Sequence, residues 1–357
     1  MKRKIFTVEI NQKIKPFKKQ ISVDPDKSLS IRSFLIGSIC QGVSSVKNTL
    51  ESDDVLSAVA VCKKLGVKIK KIRPKFYRIF GNGLGSFSIK KNTELYFGNS
   101  GTASRLLVGA LSTSPDIQVK LNGDHSLNKR NMKKLIDLME KFGALFLPKN
   151  KYTFPLKMIS SKLPIGIRYT ADVSAQLKSA VILAGLNSYG NTTIKEHILS
   201  RDHTENLLQD NRQAIKINNK GGKTITVFGK KNLSPFNITV GGDPSSAAFF
   251  VALTLLVKGS SLKIKNVGLN PTRIGFFEIL KKQKANIKFI NKKKRNNEII
   301  GDIVIKSCNL KPIHAPASIY PQTTDEYLIL FVIAALTKGV SSFKGISDLA
   351  NKESSRA

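Results

Sequence analysis

The chain has 357 residues, 41% of them hydrophobic, enough for two domains with a sizeable core in each and too many for a disordered chain. Lys and Arg outnumber Asp and Glu by 59 to 24, a formal net charge of +35 that points to acidic partners: nucleic acid, an anionic membrane, or phosphorylated and carboxylated metabolites. Trp is absent and the other aromatics are scattered, so no stacking platform for bases is visible, and the longest apolar runs, Ala247 to Val257 and Leu328 to Leu336, fall well short of the ~20 residues of a membrane helix.

The N-terminus, Met1-Lys2-Arg3-Lys4-Ile5-Phe6, is basic, and no apolar signal core follows it. Cys40, Cys62 and Cys308 lie far apart with no histidine at ligand spacing, which fits a reducing compartment and neither a disulfide frame nor a zinc site. A soluble, cytoplasmic chain is expected.

One unit then recurs five times. A small-residue-rich apolar helix leads to a turn, a short alternating strand, polar residues and a second helix. The apolar segments are Ser33 to Ser38, Leu106 to Leu111, Ser179 to Leu186, Ala247 to Val257 and Leu328 to Leu336. The strands after them are Ser44 to Asn48, Ile117 to Leu121, Thr192 to Glu196, Ser261 to Lys265 and Ser341 to Gly345. Turns at Gly42, Pro115, Gly190, Gly259 and Gly339 set a period of about 70–80 residues, too long for a solenoid and suited to a duplicated supersecondary unit. Second helices are predicted at Leu56 to Leu65, Met132 to Phe142 and Phe276 to Lys284, with a weaker copy at 203–215.

The first helix of each unit carries few charges and should be buried all round, whereas the second has one charged face. Each unit reads as helix–strand–helix–strand, an α/β architecture. Lys216 to Lys223 and Gly241-Gly242-Asp243 are the best candidates for a break between domains.

Polar residues mark the start of each buried helix. In Gly98-Asn99-Ser100-Gly101-Thr102-Ala103-Ser104-Arg105 the glycines permit a tight turn and Asn99, Ser100 or Thr102 can cap the helix, whose start favours an anion. Taken alone, such a turn is no more than a capped helix. The same holds for Asp26-Lys27-Ser28-Leu29-Ser30-Ile31-Arg32, where a basic helix start on the surface is the ordinary alternative.

Taken together, these stretches resemble a known family. The two above, with Gly123 to Arg130, Ser174-Ala175-Gln176-Leu177-Lys178-Ser179-Ala180, Ser200-Arg201-Asp202-His203-Thr204-Glu205, Gly242 to Ala248, Asn270-Pro271-Thr272-Arg273, Thr324-Asp325-Glu326 and Lys352-Glu353-Ser354-Ser355-Arg356, occur in the order of the 5-enolpyruvylshikimate-3-phosphate (EPSP) synthases. The resemblance implies a two-domain inside-out α/β barrel of repeated units, with the last unit incomplete. The implied domains are 1–23 plus 242–357, and 24–241. It also implies transfer of the enolpyruvyl group of phosphoenolpyruvate (PEP) to the 5-hydroxyl of shikimate 3-phosphate, with no metal or organic cofactor.

By the same resemblance, Lys27 contacts both substrates, and Ser28, Arg32, Ser174, Gln176, Ser200, Arg201 and Lys352 hold shikimate 3-phosphate. Gly101, Arg130 and Arg356 hold PEP. Asp325 accepts the hydroxyl proton, Glu353 is the acid for the PEP carbon, and Lys27 is the third catalytic residue. Helix capping would otherwise explain Ser174, Ser200 and Asp325, and Lys352 beside Glu353 could be an ordinary exposed pair. His203 is expected to be structural.

Departures from the family pattern are Asp24-Pro25 before Asp26, Asn128 and Asn131 around Arg130, Leu106 after Arg105, and Ser355. Family members continue for about one further unit carrying two cationic PEP ligands. The chain is therefore expected to be C-terminally truncated, to turn over poorly, and to leave apolar surface uncovered in the 245–345 region. The alternatives are a remnant that binds shikimate 3-phosphate only and the related transferase acting on UDP-N-acetylglucosamine, whose reactive Cys has no counterpart between Cys62 and Cys308. A basic nucleic-acid-binding protein is disfavoured by lysines spread through every repeat. Small-molecule partners, no nucleic acid, no membrane and a monomeric state are expected.

Overall fold

The structure, a computed structural model, describes residues 7, 9 and 11–351. All five predicted apolar helices are present: α1 (Lys27–Ile39), α2 (Gly101–Ser112), α3 (Ala175–Leu186), α4 (Pro244–Leu256) and α5 (Tyr327–Ala335). In α1 every residue from Leu29 to Ile39 is buried, and nearly all of α2 and α3 is buried too. Their small residues let helices approach closely: a Cβ on Gly109 of α2 would stand 2.7 Å from the Cα of Ala180 in α3. The second helices, Asp53–Lys64, Lys133–Glu140 and Gly275–Lys282, carry the amphipathic pattern and pack one face inward.

Each complete unit closes with two antiparallel strands rather than the single one the sequence suggested. In the second unit Thr93–Tyr96 pairs parallel with Gln118–Asn122, which pairs antiparallel with Leu156–Ile159 and then Leu145–Leu147. The third repeats this order with Arg168–Ala171, Asn191–Glu196, Lys223–Phe228 and Ile215–Asn218. Lys216 to Lys223, read as a domain break, is therefore a hairpin inside a sheet. Its Gly-rich polar tip imitates a linker because a solvent-facing turn needs the same residues.

The first and fourth units exchange their leading strands. Lys18–Ser22 pairs parallel with Ser261–Lys265 of the fourth unit, ahead of the antiparallel strands Glu298–Lys306 and Ile287–Arg295. Asn237–Thr239 pairs parallel with Ser45–Lys47 of the first unit, whose hairpin is Lys68–Arg73 and Phe76–Asn82. The chain thus passes twice between two hydrophobic cores, one built from Leu29 to Val240 and the other from Ala247 to Leu349. The two crossing segments lie side by side: Asp26 N–H donates to Gly241 O at 2.9 Å and Asp243 N–H donates to Asp24 O at 2.7 Å.

The fifth unit contributes α5 and the parallel pair His314–Ala315 with Ser342–Phe343. In the region where uncovered apolar surface was expected, Phe249, Leu328, Val332, Leu336 and Val340 are all about half exposed or more. Among the described residues, no helix is long and apolar enough to cross a membrane.

Candidate active site

Four of the five buried helices begin at a side-chain cap or a proline. Asp26 Oδ1 accepts from Leu29 N–H at 2.8 Å, Ser100 Oγ from Ala103 N–H at 3.3 Å, Ser174 Oγ from Leu177 N–H at 3.4 Å, and Asp243 Oδ1 from Ser245 N–H at 2.8 Å. Such starts carry partial positive charge.

Side chains link these starts to one another. Between α2 and α3, Arg105 Nη1 donates to Gln176 Oε1 at 2.8 Å, and Gln176 Nε2 donates to Thr102 Oγ1 at 3.0 Å. Arg32 of α1, which is 2% exposed, donates through Nε to Thr204 Oγ1 at 3.0 Å and through Nη2 to Ser179 Oγ at 3.5 Å. Across the crossing, Arg201 Nη2 meets Asp325 Oδ2 at 2.5 Å. Arg273 Nη2 lies 3.0 Å from Asp243 Oδ1 and 3.6 Å from Asp26 Oδ2.

The sequence-predicted residues fall at these starts. Lys27 is the first residue of α1, with its Nζ 3.0 Å from Asp54 Oδ2, and Ser28 follows it, half-buried. Gly101 opens α2: a Cβ there would collide with Arg130 Nη1 and stand 2.8 Å from Arg105 Nη1. Arg130 itself donates to the backbone and side-chain oxygens of Asn99, in the turn before α2. Ser174 and Gln176 open α3. Ser200 is placed differently. It is 1% exposed and its hydroxyl donates to Glu196 Oε1 at 2.6 Å, so its only proton is directed into the core. His203 is buried, with Nδ1 2.8 Å from Glu298 Oε1, as a structural residue would be. Lys352, Glu353 and Arg356 lie outside the described residues.

The side chains that sequence reasoning missed lie beneath the site. Lys178, fully buried in α3, reaches Glu196 Oε1 at 2.8 Å and Glu205 Oε1 at 2.7 Å, and Lys223 reaches Glu205 Oε1 at 3.2 Å. The available signal was a single lysine inside an otherwise apolar helix. Arg273 was noted only as part of a motif, although it gathers both helix-capping aspartates of the crossing segments.

Burial and charge pull these groups in opposite directions. Burial draws Arg32 down to about 10, so it stays protonated at neutral pH. For Glu205, burial pushes upward, and the Lys178 and Lys223 ammoniums outweigh it, leaving the carboxyl below its ordinary value. For His203, burial pushes downward and the Glu298 carboxylate prevails, holding the imidazole above its ordinary value. Glu326, buried at the start of α5, is raised by desolvation despite the nearby arginines. The outcome is a group of helix starts rich in cationic side chains, resting on a buried ionic layer. It can receive a ligand with several negative charges and offers Asp325 as a carboxylate at its rim.

A fold of this kind has a counterpart in the enolpyruvyl transferase NikO from Streptomyces tendae, which superposes with a TM-score of 0.68 at 13% identity, over 91% of this chain and 74% of that one. The two proteins therefore share one fold. EPSP synthase from Acinetobacter baumannii superposes with a TM-score of 0.84 at 36% identity, over 96% of this chain and 76% of that one. The 3-phosphoshikimate 1-carboxyvinyltransferases of Novosphingobium aromaticivorans and Zymomonas mobilis are 39% and 38% identical over 345 and 349 residues, covering 96% and 97% of this chain and 78% and 77% of theirs. A family model described as EPSP synthase (3-phosphoshikimate 1-carboxyvinyltransferase) matches residues 11–357. The chain belongs to the EPSP synthase family.

Proposed function

We propose that the chain acts as a 3-phosphoshikimate 1-carboxyvinyltransferase, forming EPSP and phosphate from shikimate 3-phosphate and PEP. The observation that carries this reading is the gathering of Lys27, Arg32, Arg105, Arg130 and Arg201 at helix starts and the segments next to them. Two substrates bringing two phosphates and two carboxylates need this density of cations and N–H donors. The domains meet near Asp24 and Gly241, with 1–23 plus 242–357 on one side and 24–241 on the other. The exchange of leading strands supports that division.

In this reading Lys27, Ser28, Arg32, Ser174, Gln176, Arg201 and Lys352 hold shikimate 3-phosphate. Arg130 and Arg356 hold PEP, with Gly101 as the close-approach point; the Gly101 N–H itself donates to Asn99 O at 2.9 Å. Asp325 takes the proton of the 5-hydroxyl as its oxygen bonds to C2 of PEP, while Glu353 with Lys27 delivers a proton to C3. The tetrahedral intermediate then returns a proton from C3 and expels phosphate, restoring the double bond. Ser200 contributes through its backbone and through the placement of Arg201, since its hydroxyl is engaged by Glu196. The protein works as a cytoplasmic monomer on small molecules, without nucleic acid. The spread of lysine over all the repeats supports that view.

Calorimetry with each substrate, followed by detection of phosphate and EPSP, tests the proposal. Both ligands binding, with slow product formation, is the expected result, and tight binding of a nucleic acid with neither substrate bound would sink it. A sharper local test is Gly101→Ala. Its methyl has to displace the Arg130 and Arg105 guanidiniums, which are flexible ends. The KM for PEP should rise about tenfold, a loss of about 1.4 kcal/mol. The urea midpoint should not move. An unchanged KM for PEP would remove Gly101 from the PEP site.

A further inference from the structure

Arg273 stands where the two crossing segments meet, and it is 4% exposed. Its Nη2 donates to Asp243 Oδ1 and Ser245 Oγ, both at 3.0 Å, and lies 3.6 Å from Asp26 Oδ2. Those aspartates cap α4 and α1, the helices that leave the crossing on either side. The other end of the same guanidinium, Nη1, is 3.9 Å from Asp325 Oδ2. That is beyond hydrogen-bond length but within the range where a buried cation governs a carboxylate.

The surroundings make this cation consequential. Charged groups gathered around it include the carboxyls of Asp26, Asp243, Asp325 and Glu326, with Arg201 as the second cation on Asp325 and with Arg32 and His203 behind Asp26. Among the described residues, four carboxyls facing these arginines cannot all ionise at no cost. Burial leaves Glu326 and Asp243 raised, whereas Asp26 is lowered, burial being outweighed there first of all by Arg273. Arg273 itself stays above its ordinary range because the four carboxyls outweigh its own desolvation.

We propose that Arg273 is a positioning residue for Asp325, keeping that carboxylate ionised while tying it to both helix caps of the crossing. The charge state of the proton acceptor and the geometry of the crossing then share one side chain. Ionised Asp325 depends on the segments that carry Lys27 and Ser28 being seated against Arg273. This inference rests on Asp325 being the acceptor for the 5-hydroxyl.

The pH dependence of shikimate 3-phosphate affinity, measured by calorimetry, provides the test. Asp325→Asn comes first, because it defines the step in affinity that belongs to Asp325; if that variant keeps the wild-type profile, the acceptor reading fails rather than the role of Arg273. With the step defined, Arg273→Gln should move it upward by about one pH unit or more. A variant that binds with its step unmoved overturns the proposal and leaves Arg273 a packing residue. Should Arg273→Gln bind nothing at any pH, Asp243→Asn decides. Asn still caps α4, but it releases Arg273 from one competing carboxyl, so the step should move downward. No movement there also overturns the proposal.

Discussion

Lys178→Met should lower the stability of the protein by about 3–5 kcal/mol, because it strips one cation from two carboxylates sealed in the core. Lys178 and both glutamates have fully buried side chains, and the Nζ lies within 2.8 Å of each. Against a typical total of about 5–15 kcal/mol, a loss of this size shows as a large fall in the urea midpoint. Adding Glu205→Gln should recover part of it, since the pair acts as a unit and the two effects do not add. A midpoint within experimental error of the wild type would show that the cluster is solvated and not sealed.

The pH dependence carries a sign. In the wild type the Glu205 carboxyl lies below its unfolded value, so its contribution is present above about pH 4.3 and fades as pH falls through the folded value. Without Lys178, desolvation prevails over Lys223 alone and the folded value rises above the unfolded one. The carboxylate then penalises folding at high pH, and protonation relieves it. The deficit of Lys178→Met should therefore narrow between pH 8 and pH 5.5 by on the order of 1 kcal/mol. A deficit that widens in acid contradicts this assignment.

Asp325→Asn should cut kcat by about 10²–10⁴-fold, the usual range for removing a positioned general base. The amide keeps the shape of the carboxylate and can still accept from Arg201, which sits 2.5 Å away. It cannot take a proton from the 5-hydroxyl at neutral pH. Because the substitution also removes a negative charge from a site built for anions, shikimate 3-phosphate should bind at least as tightly as before. Loss of turnover with retained affinity is the signature to look for. A rate above about a tenth of the wild type would place the proton acceptor elsewhere.

The helical skeleton was legible because each buried helix announces itself twice: by a run of small apolar residues and by a polar cap before it. Ser100 and Ser174 were visible as caps, and the strands after α1 to α4 showed their alternation. The closing hairpins were harder to read. Lys68–Arg73 and Ile287–Arg295 carry lysine or arginine at four of six and five of nine positions, and an edge strand with one solvated face needs little apolar content to pair.

The contact surface of the candidate site followed from ordered motifs, whereas its support did not. A lone Lys178 in an apolar helix resembles a solvated lysine until Glu196, Glu205 and Lys223 are brought to it from three other segments. Arg273 is similar: its partners Asp26, Asp243 and Asp325 are 247, 30 and 52 residues away in the chain. Pairings at such separations are set by topology, and local pattern says nothing of them.

The exchange of leading strands has a consequence for synthesis. The strand Lys18–Ser22 leaves the ribosome early, but its partner Ser261–Lys265 is more than 200 residues further on. At about 5–20 residues per second, the early strand waits roughly 10–50 s with its edge unpaired. The segment from Lys27 to Thr239 can meanwhile close its own three sheets, since Asn237–Thr239 supplies the last strand it needs. The waiting strand reads Lys18-Lys19-Gln20-Ile21-Ser22 and is preceded by Lys13 and Lys15. Like charge repels a second nascent chain that offers the same edge, so lysine in this stretch protects the protein during the interval before it is whole.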